Sequence, residues 1–532
     1  MKFFVEIYGF LSVVLRGLIL TAQTLTLGGI VFYWASWPLA AGQGGRRLLL
    51  ASAAMFCVGP ALAALALMAM LRGTLNLPLG EALSADAVRI DLAAAALAGF
   101  AAFALRAARG SLRLPAALVL ATVAIEVGAT HAASRLENVF ALYVAEFVHL
   151  IGVGAWIGGI PYLLLALRKA PVEARREIVS RFSHVSMFAV ALLLAGGLPM
   201  AFDYIGDWPA LYGTSYGVML AAKVALLLAL LLLGGMNYLT GRRLRRDPEA
   251  SVSRLRRFAE VEIGLGLTVI FCAASLTSLP PARDLPNDRA TLVEIVDRVA
   301  PRLPIRLESP DHASLSTSMA AAADPQAPRA FAAGEAPPTP RNAEDIAWSE
   351  YNHHWAGVFV LIMGLLAFGE RSRRLAPVAR HWPLIFLVLA GFIFLRGDEE
   401  VWPLGHLGFF ESLRDPEIAQ HRLLMVLILV FGLFEWGVRT GRLKAGFAPY
   451  VFPLTTAAAA AFLLTHSHGL ANPKEELLIE VTHMPLALVG VTAGWARWLE
   501  LRLDGAPSRV ASIIWPAAFA AAGLLLMFYR EA

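Results

Sequence analysis

Tyr216-Gly-Val-Met-Leu-Ala-Ala-Lys-Val-Ala-Leu-Leu-Leu-Ala-Leu-Leu-Leu-Leu-Gly-Gly235 is a run of twenty residues with one charge, Lys223, and no alternation of apolar and polar positions. At 1.5 Å of rise per residue, a helix of that length covers about 30 Å, the thickness of a bilayer's hydrocarbon layer. Behind it stand Arg242, Arg243, Arg245 and Arg246, cations that stop an apolar helix at a membrane surface. Thirteen further runs read the same way, so that fourteen candidate spans begin near Phe10, Leu48, Val88, Leu114, Val139, Phe182, Tyr216, Val261, His354, Pro383, Leu423, Pro449, Leu477 and Val510. Only helices or closed barrels satisfy backbone polar groups in lipid, and runs this continuously apolar exclude barrel strands. The expectation is an all-α, polytopic membrane helical bundle.

Composition agrees. Of 532 residues, 58% are hydrophobic and only 16% charged, with a mean hydropathy of +0.63, which excludes an ordinary water-soluble enzyme. The net charge of +5 comes from forty Arg and five Lys. These cations gather in alternate short loops: Arg46–Arg47, Arg106 to Arg113, Arg168 to Arg181, Arg242 to Arg257, Arg371 to Arg380, Arg439 to Lys444 and Arg497 to Arg509. Because Lys and Arg are held on the cytoplasmic side, both chain ends are expected outside, and the basic balance is an orientation signal, not a nucleic-acid footprint. The first run contains Arg16 and lacks a small-residue cleavage site, so it reads as a retained span. The localisation expected is a bacterial inner membrane.

One segment differs. Residues 281–352 are rich in Pro and Ala, with a single helix-like patch at Leu292, Ile295, Val296 and Val299, and read as an external, mostly flexible linker. It divides the chain into an eight-helix domain, residues 1–280, and a six-helix domain, residues 353–532. Two cysteines, Cys57 and Cys272, are too few for a disulfide framework or a CxxC metal site.

Ionisable groups within apolar helices cost several kcal/mol, roughly 2.5 to 3.5 on insertion scales, and are functional candidates by default. Here they are Arg16, Asp91, Glu126, Glu146, His149, Lys223 and Glu262. Mutual neutralisation, Lys223 with Glu262 and Arg16 with Asp91, is the structural alternative to gating. A sharper pattern joins His131, after the fourth span, to Glu146 and His149, three residues apart on one face of the fifth. The short connection Ala132 to Asn138 makes the two helices antiparallel neighbours, so the three side chains are expected to converge near the outer surface. Met68, Met70, Met200 and Met219 fall near the same level. Thioethers with imidazole suit Cu(I), although methionine is also an ordinary filler of helical cores.

The pattern recurs. The twelfth span ends in Thr465-His466-Ser467-His468 and the thirteenth opens with Glu480-x-x-His483-Met484. Fifteen residues separate His131 from Glu146, and fourteen separate His466 from Glu480. His353, His354, His406 and His421 also fall at outer ends or loops, whereas His184 and His381 fall at the inner face. A concentration of imidazole on one side fits an external metal surface, and equally residues that hold membrane depth.

These residues resemble the CopD/PcoD family of bacterial copper-resistance membrane proteins. The resemblance rests on Glu146-Phe-Val-His149-Leu-Ile-Gly-Val-Gly-Ala-Trp156-Ile-Gly158-Gly159, Arg181-Phe-Ser183, Tyr216 to Lys223, Gly234-Gly-Met-Asn237 and Glu260-Val-Glu262, across residues 10 to 281. It implies copper handling, described as movement from periplasm toward cytoplasm with a small periplasmic copper-binding partner of the CopC type. The external segment, with only His312 and Met319 as ligand types, is too poor to be that partner fused in place. No GxxxxGK[ST] loop, DKTG or CPC motif is present, so transport would be downhill or ion-coupled. Two other functions stay open. One is a membrane oxidoreductase with a di-metal or haem centre, for which Glu126 and Glu435 would supply further carboxylates. The other is a protein that holds copper at the outer face and hands it on without translocation.

Overall fold

The computed structural model describes residues 2–36, 43–108, 110–247, 251–316, 342–398, 401–405, 407–413, 416–464 and 473–531. His406, His466, His468 and Met319 lie outside them. Among the described residues the chain is helical, and extended pairing is confined to one isolated bridge between Val401 and Leu407. It separates into two compact units: Phe3–Arg289 with Leu464–Pro473, and Ala290–Leu463 with Lys474–Ala532.

The first unit is built on α1 (Lys2–Ser36), α2 (Gln43–Leu75), α3 (Asp86–Ala107), α4 (Arg113–Val127), α5 (Val139–Trp156), α6 (Ile160–Lys169), α7 (Val172–Ile205), α8 (Ser215–Arg246) and α9 (Ser253–Leu276). Helices α5 and α6 form one span, broken at Ile157 to Gly159. The break is a packing device: a Cβ on Gly158 would strike the carbonyl of Thr24, and one on Gly28 would strike the backbone of Gly158, so α1 crosses there with backbone against backbone. Helices α5 and α7 meet through a second set of glycines. A Cβ on Gly152 would lie 2.6 Å from the carbonyl oxygen of Ala189, and one on Gly196 would strike that of Ala145.

The second unit holds α10 (Leu292–Val299), α11 (Ala343–Gly369), α12 (Ile385–Arg396), α13 (Pro416–Arg439), α14 (Val451–Leu463), α15 (Pro473–Arg502) and α16 (Gly505–Met527). Helices α11 and α16 are the closest pair, because Gly357, Gly364 and Gly523 each face the other helix's backbone. Trp382, Phe386, Phe452 and Trp515 fill the interior beside them.

Each of the fourteen expected spans is a helix, eight in the first unit and six in the second. Among the described residues, twelve are long and apolar enough to cross a membrane, and two are shorter: α4, of 15 residues, and Ala448–Leu463. The two short helices are the fourth and twelfth, the ones that lead into His131 and His466. Helix α11 begins at Ala343, about three turns ahead of the expected His354. Asn342 starts it, accepting from the backbone of Glu344 and Asp345 at 2.9 and 2.8 Å while Asp345 accepts from its own N–H at 2.8 Å.

Residues 282–316 carry specific ties. Arg289 donates to both oxygens of Asp207 at 2.9 and 2.7 Å. Arg135 does the same to Asp284 at 2.8 and 2.9 Å. The patch around Leu292 is helix α10, opened by a capping box between Thr291 and Glu294. Lys474 fixes it, donating to Glu294 at 2.6 Å, and Arg298 donates to the carbonyl of Leu478 at 2.9 Å.

Candidate metal centre

His131 opens a short helix, His131–Ser134, between α4 and α5, and its Nε2 lies 3.1 Å from the carbonyl oxygen of Leu276, the last residue of α9. A carbonyl only accepts, so Nε2 is the donor in this bond. The rings of Tyr204 and Tyr216 stand edge-on to the imidazole, with centroids at 6.0 and 6.2 Å. His149 is arranged in the complementary sense. Its Nδ1 donates to the carbonyl of Leu193 at 2.9 Å, which leaves the lone pair on Nε2. A backbone carbonyl that holds one ring nitrogen while the other is a lone-pair donor is the posture of metal-ligating histidines. The fit is close at His149, since a Cβ on Gly197 would lie 3.0 Å from Nδ1.

Glu146, one turn before His149, accepts from the hydroxyl of Thr130 at 2.7 Å and is thereby joined to the residue next to His131. Arg16, His131 and Lys223 are near enough to act on its charge. Lys223 likewise acts on His149, and it lies beside Cys272. Arg16 does not pair with Asp91 as expected. Its Nη1 is 3.3 Å from Oε2 of Glu126, which is 1% exposed, while Asp91 remains within electrostatic reach of both. The other expected pair is also absent, because Glu262 accepts from Asn237 and Trp156, not from Lys223. Arg16, His131, Glu146, His149 and Lys223 thus form one linked set of charged and titratable groups, joined through Glu146 and Lys223.

No preformed cage accompanies it. Among the described residues, no group of three or more His, Cys, Asp or Glu stands close enough to hold a metal ion. The expected convergence of His131, Glu146 and His149 on one point is therefore not met. The imidazoles are anchored to different carbonyls, on α9 and α7, and Glu146 is engaged by Thr130. Met219 is buried on α8, one turn before Lys223, and Met200 is half-buried near the end of α7. Met68 and Met70 lie on α2, whose main partner is α3, away from the α5–α7 pair that holds His149. The donors are distributed, not gathered.

In the second unit, His483 lies 2.9 Å from the carbonyl of Ile479 on its own helix and turns its ring edge toward Tyr529, 5.7 Å between centroids. Met484 beside it is buried. His353 stacks on the other part of the same tyrosine at 3.9 Å and donates to the carbonyl of Ser349 at 2.8 Å. His354 is a structural residue: Nδ1 accepts from the N–H of Arg306 at 3.0 Å and Nε2 donates to the carbonyl of Tyr529 at 2.9 Å. The carboxylates a di-metal centre would draw on are engaged, Glu126 with Arg16 and Glu435 with Arg439 at 2.6 Å. Sequence reading did not find Tyr204, Tyr216, Tyr529 or the carbonyls of Leu193 and Leu276. Thr130 was visible beside His131, but its bond to Glu146 was not.

The fold and these groups define a multi-pass helical membrane protein whose first unit carries separately anchored imidazoles, buried carboxylates and a half-buried lysine. Residues 176–276, from α7 through α9, match the family model described as copper resistance protein D. The chain is 33% identical over 154 residues to "Copper transport protein CutJ" of Bacillus subtilis (strain 168), a match covering 28% of this chain and 27% of that relative's length. No solved structure matches. The similarity to copper resistance protein D is thus confined to part of the first unit, and the chain spans about a quarter of the length of the relative it matches.

Proposed function

We infer that the chain is a copper-binding membrane protein that moves copper across a bacterial inner membrane, from the periplasmic face toward the cytoplasm, without hydrolysing ATP. The observation that carries the reading is the pair of histidines each held by one ring nitrogen against a backbone carbonyl, His131 through Nε2 and His149 through Nδ1, with Thr130 bonded to Glu146 and His149 within reach of Lys223. The copper-related family and relative point the same way. Distributed donors suit cargo: an ion held by one or two ligands at a time leaves each of them readily, whereas a closed cage of three or four would retain it. Soft imidazole and thioether donors favour Cu(I). Arg16, Asp91, Glu126 and Lys223 set the charge along the way, and a cation entering beside Glu146 competes with Lys223 for that carboxylate. The role is non-enzymatic, and the cation-rich loops face the cytoplasm.

A CopC-like periplasmic protein is the proposed donor of copper. Metal analysis tests the reading. The purified chain loaded with Cu(I) retains copper, and His131→Ala with His149→Ala releases most of it while the helical signal persists. Equal copper in the two preparations overturns the assignment.

A further inference from the structure

About two turns beyond His149 along α5 lies Trp156, and with it begins a cavity of about 350 Å³ among α5, α6, α7, α8 and α9. Its wall is mostly apolar, with five oxygen-bearing side chains in it: Ser183, Ser186, Asn237, Tyr238 and Glu262. Glu262 is 3% exposed and accepts from Asn237 and from the indole of Trp156. Among the described residues, Tyr238 is the one other titratable side chain that lines the cavity, and no cation does. Two further oxygens are buried without a hydrogen-bond partner, Oδ1 of Asn237 and Oγ of Ser186. A buried carboxylate in an apolar wall demands a counter-charge, and buried amide and hydroxyl oxygens demand a donor or an ion.

We propose that this cavity is a binding site for one hard monovalent cation, a sodium ion or a proton carried by Glu262, distinct from the soft-donor groups around His131 and His149. A single carboxylate neutralises a single positive charge. Carboxylate, carboxamide and hydroxyl oxygens are hard ligands and suit alkali ions or protons, whereas Cu(I) prefers sulfur and imidazole. The one thioether in the wall, Met187, is 49% exposed. The two chemistries are therefore segregated along the same helices: His131 sits at the end of α9, against Leu276, and Glu262 lies about four turns further along that helix. The cation's role as the coupling ion rests on the copper-translocation reading, but the site does not.

Dicyclohexylcarbodiimide, which modifies protonated carboxyls buried in membranes, tests it on the full chain in phospholipid vesicles without copper, with Glu262 followed by peptide mass spectrometry. Glu262 is expected to be modified, and Glu262→Gln to remove the adduct from that peptide. Sodium at ten times its dissociation constant would slow the modification about tenfold, by simple mass action, and choline would not. That result identifies sodium. Modification that falls with rising pH and ignores sodium identifies the proton. Absence of the adduct on Glu262, or modification at a rate that neither sodium nor pH changes, overturns the proposal. Since the assay contains no copper, its outcome is independent of whether His131 and His149 bind copper.

Discussion

Gly196→Ala is a one-methyl substitution that reaches the centre of the copper reading. The new Cβ would lie 2.7 Å from the backbone nitrogen of His149 and 2.9 Å from its Cβ, and would strike the carbonyl of Ala145. Carbon contacts are comfortable at about 3.5–4.0 Å, so α5 and α7 must part by roughly 0.6–1 Å at this level. The bond from His149 to the carbonyl of Leu193 is 2.9 Å long. Opened by that amount it reaches about 3.5 Å or more, beyond the useful range of an N–H···O bond. Overpacking of a tight contact costs about 1–3 kcal/mol, and the lost bond adds about 1 kcal/mol. His149 then loses its tautomer as well as its position, so Cu(I) retention should fall together with stability. The assay is competition for Cu(I) with a chromogenic chelator, run beside denaturant unfolding in detergent. Gly235→Ala is the control, since a Cβ there meets nothing within 4 Å. If Gly196→Ala matches wild type in both measurements, the close packing of α5 and α7 does not set the site.

Arg16→Met leaves Glu126 buried and unpaired, and should cost about 3–5 kcal/mol in an unfolding measurement, whereas Arg16→Met with Glu126→Leu should recover most of it; equal losses in the two variants would show that the pair is not coupled. Outside the spans, Lys474 and the cap at Thr291 hold the Glu294 carboxyl down at about 2, against an ordinary 4.5. A carboxyl depressed in the folded state stabilises it above its unfolded value, so the tie on α10 is complete above about pH 4.5 and is lost as pH falls toward 2. Pepsin cleavage within 292–299 should accelerate over that window and be fast throughout in Glu294→Gln; a pH-independent rate in wild type contradicts it. Gly364→Leu places a side chain where even a Cβ would lie 2.5 Å from the backbone nitrogen of Ala520. It should part α11 from α16 and destabilise the second unit by several kcal/mol, on the order of the larger core-packing losses, read as a lowered unfolding midpoint.

The all-helical, many-span character of the chain was legible because each run of about twenty apolar residues carries its own signal, with no distant partner required. Helix ends were less so: the start of α11 at Ala343 depends on how Asn342 and Asp345 cap it, within residues that read as linker. Candidate chemistry was legible as residue type. Arg16, Glu126, Glu146, His149, Lys223 and Glu262 stand out wherever they occur in apolar sequence. Pairing was not, because helical periodicity gives a face but not which neighbouring helix meets it. Arg16 therefore finds Glu126 on α4 instead of Asp91 on α3, and Glu262 finds Asn237 on α8 instead of Lys223 on the same helix. The tautomers of His131 and His149 depend on carbonyls of α9 and α7, groups that every residue has and no sequence distinguishes.

Copper flux into sealed proteoliposomes tests the central claim most directly. With the full chain reconstituted and Cu(I) supplied outside, the lumen should gain copper without ATP, and His131→Ala with His149→Ala should reduce that gain to the level of protein-free vesicles. Wild-type chain that binds Cu(I) yet leaves the lumen empty would contradict movement across the membrane and leave a protein that holds copper at one face.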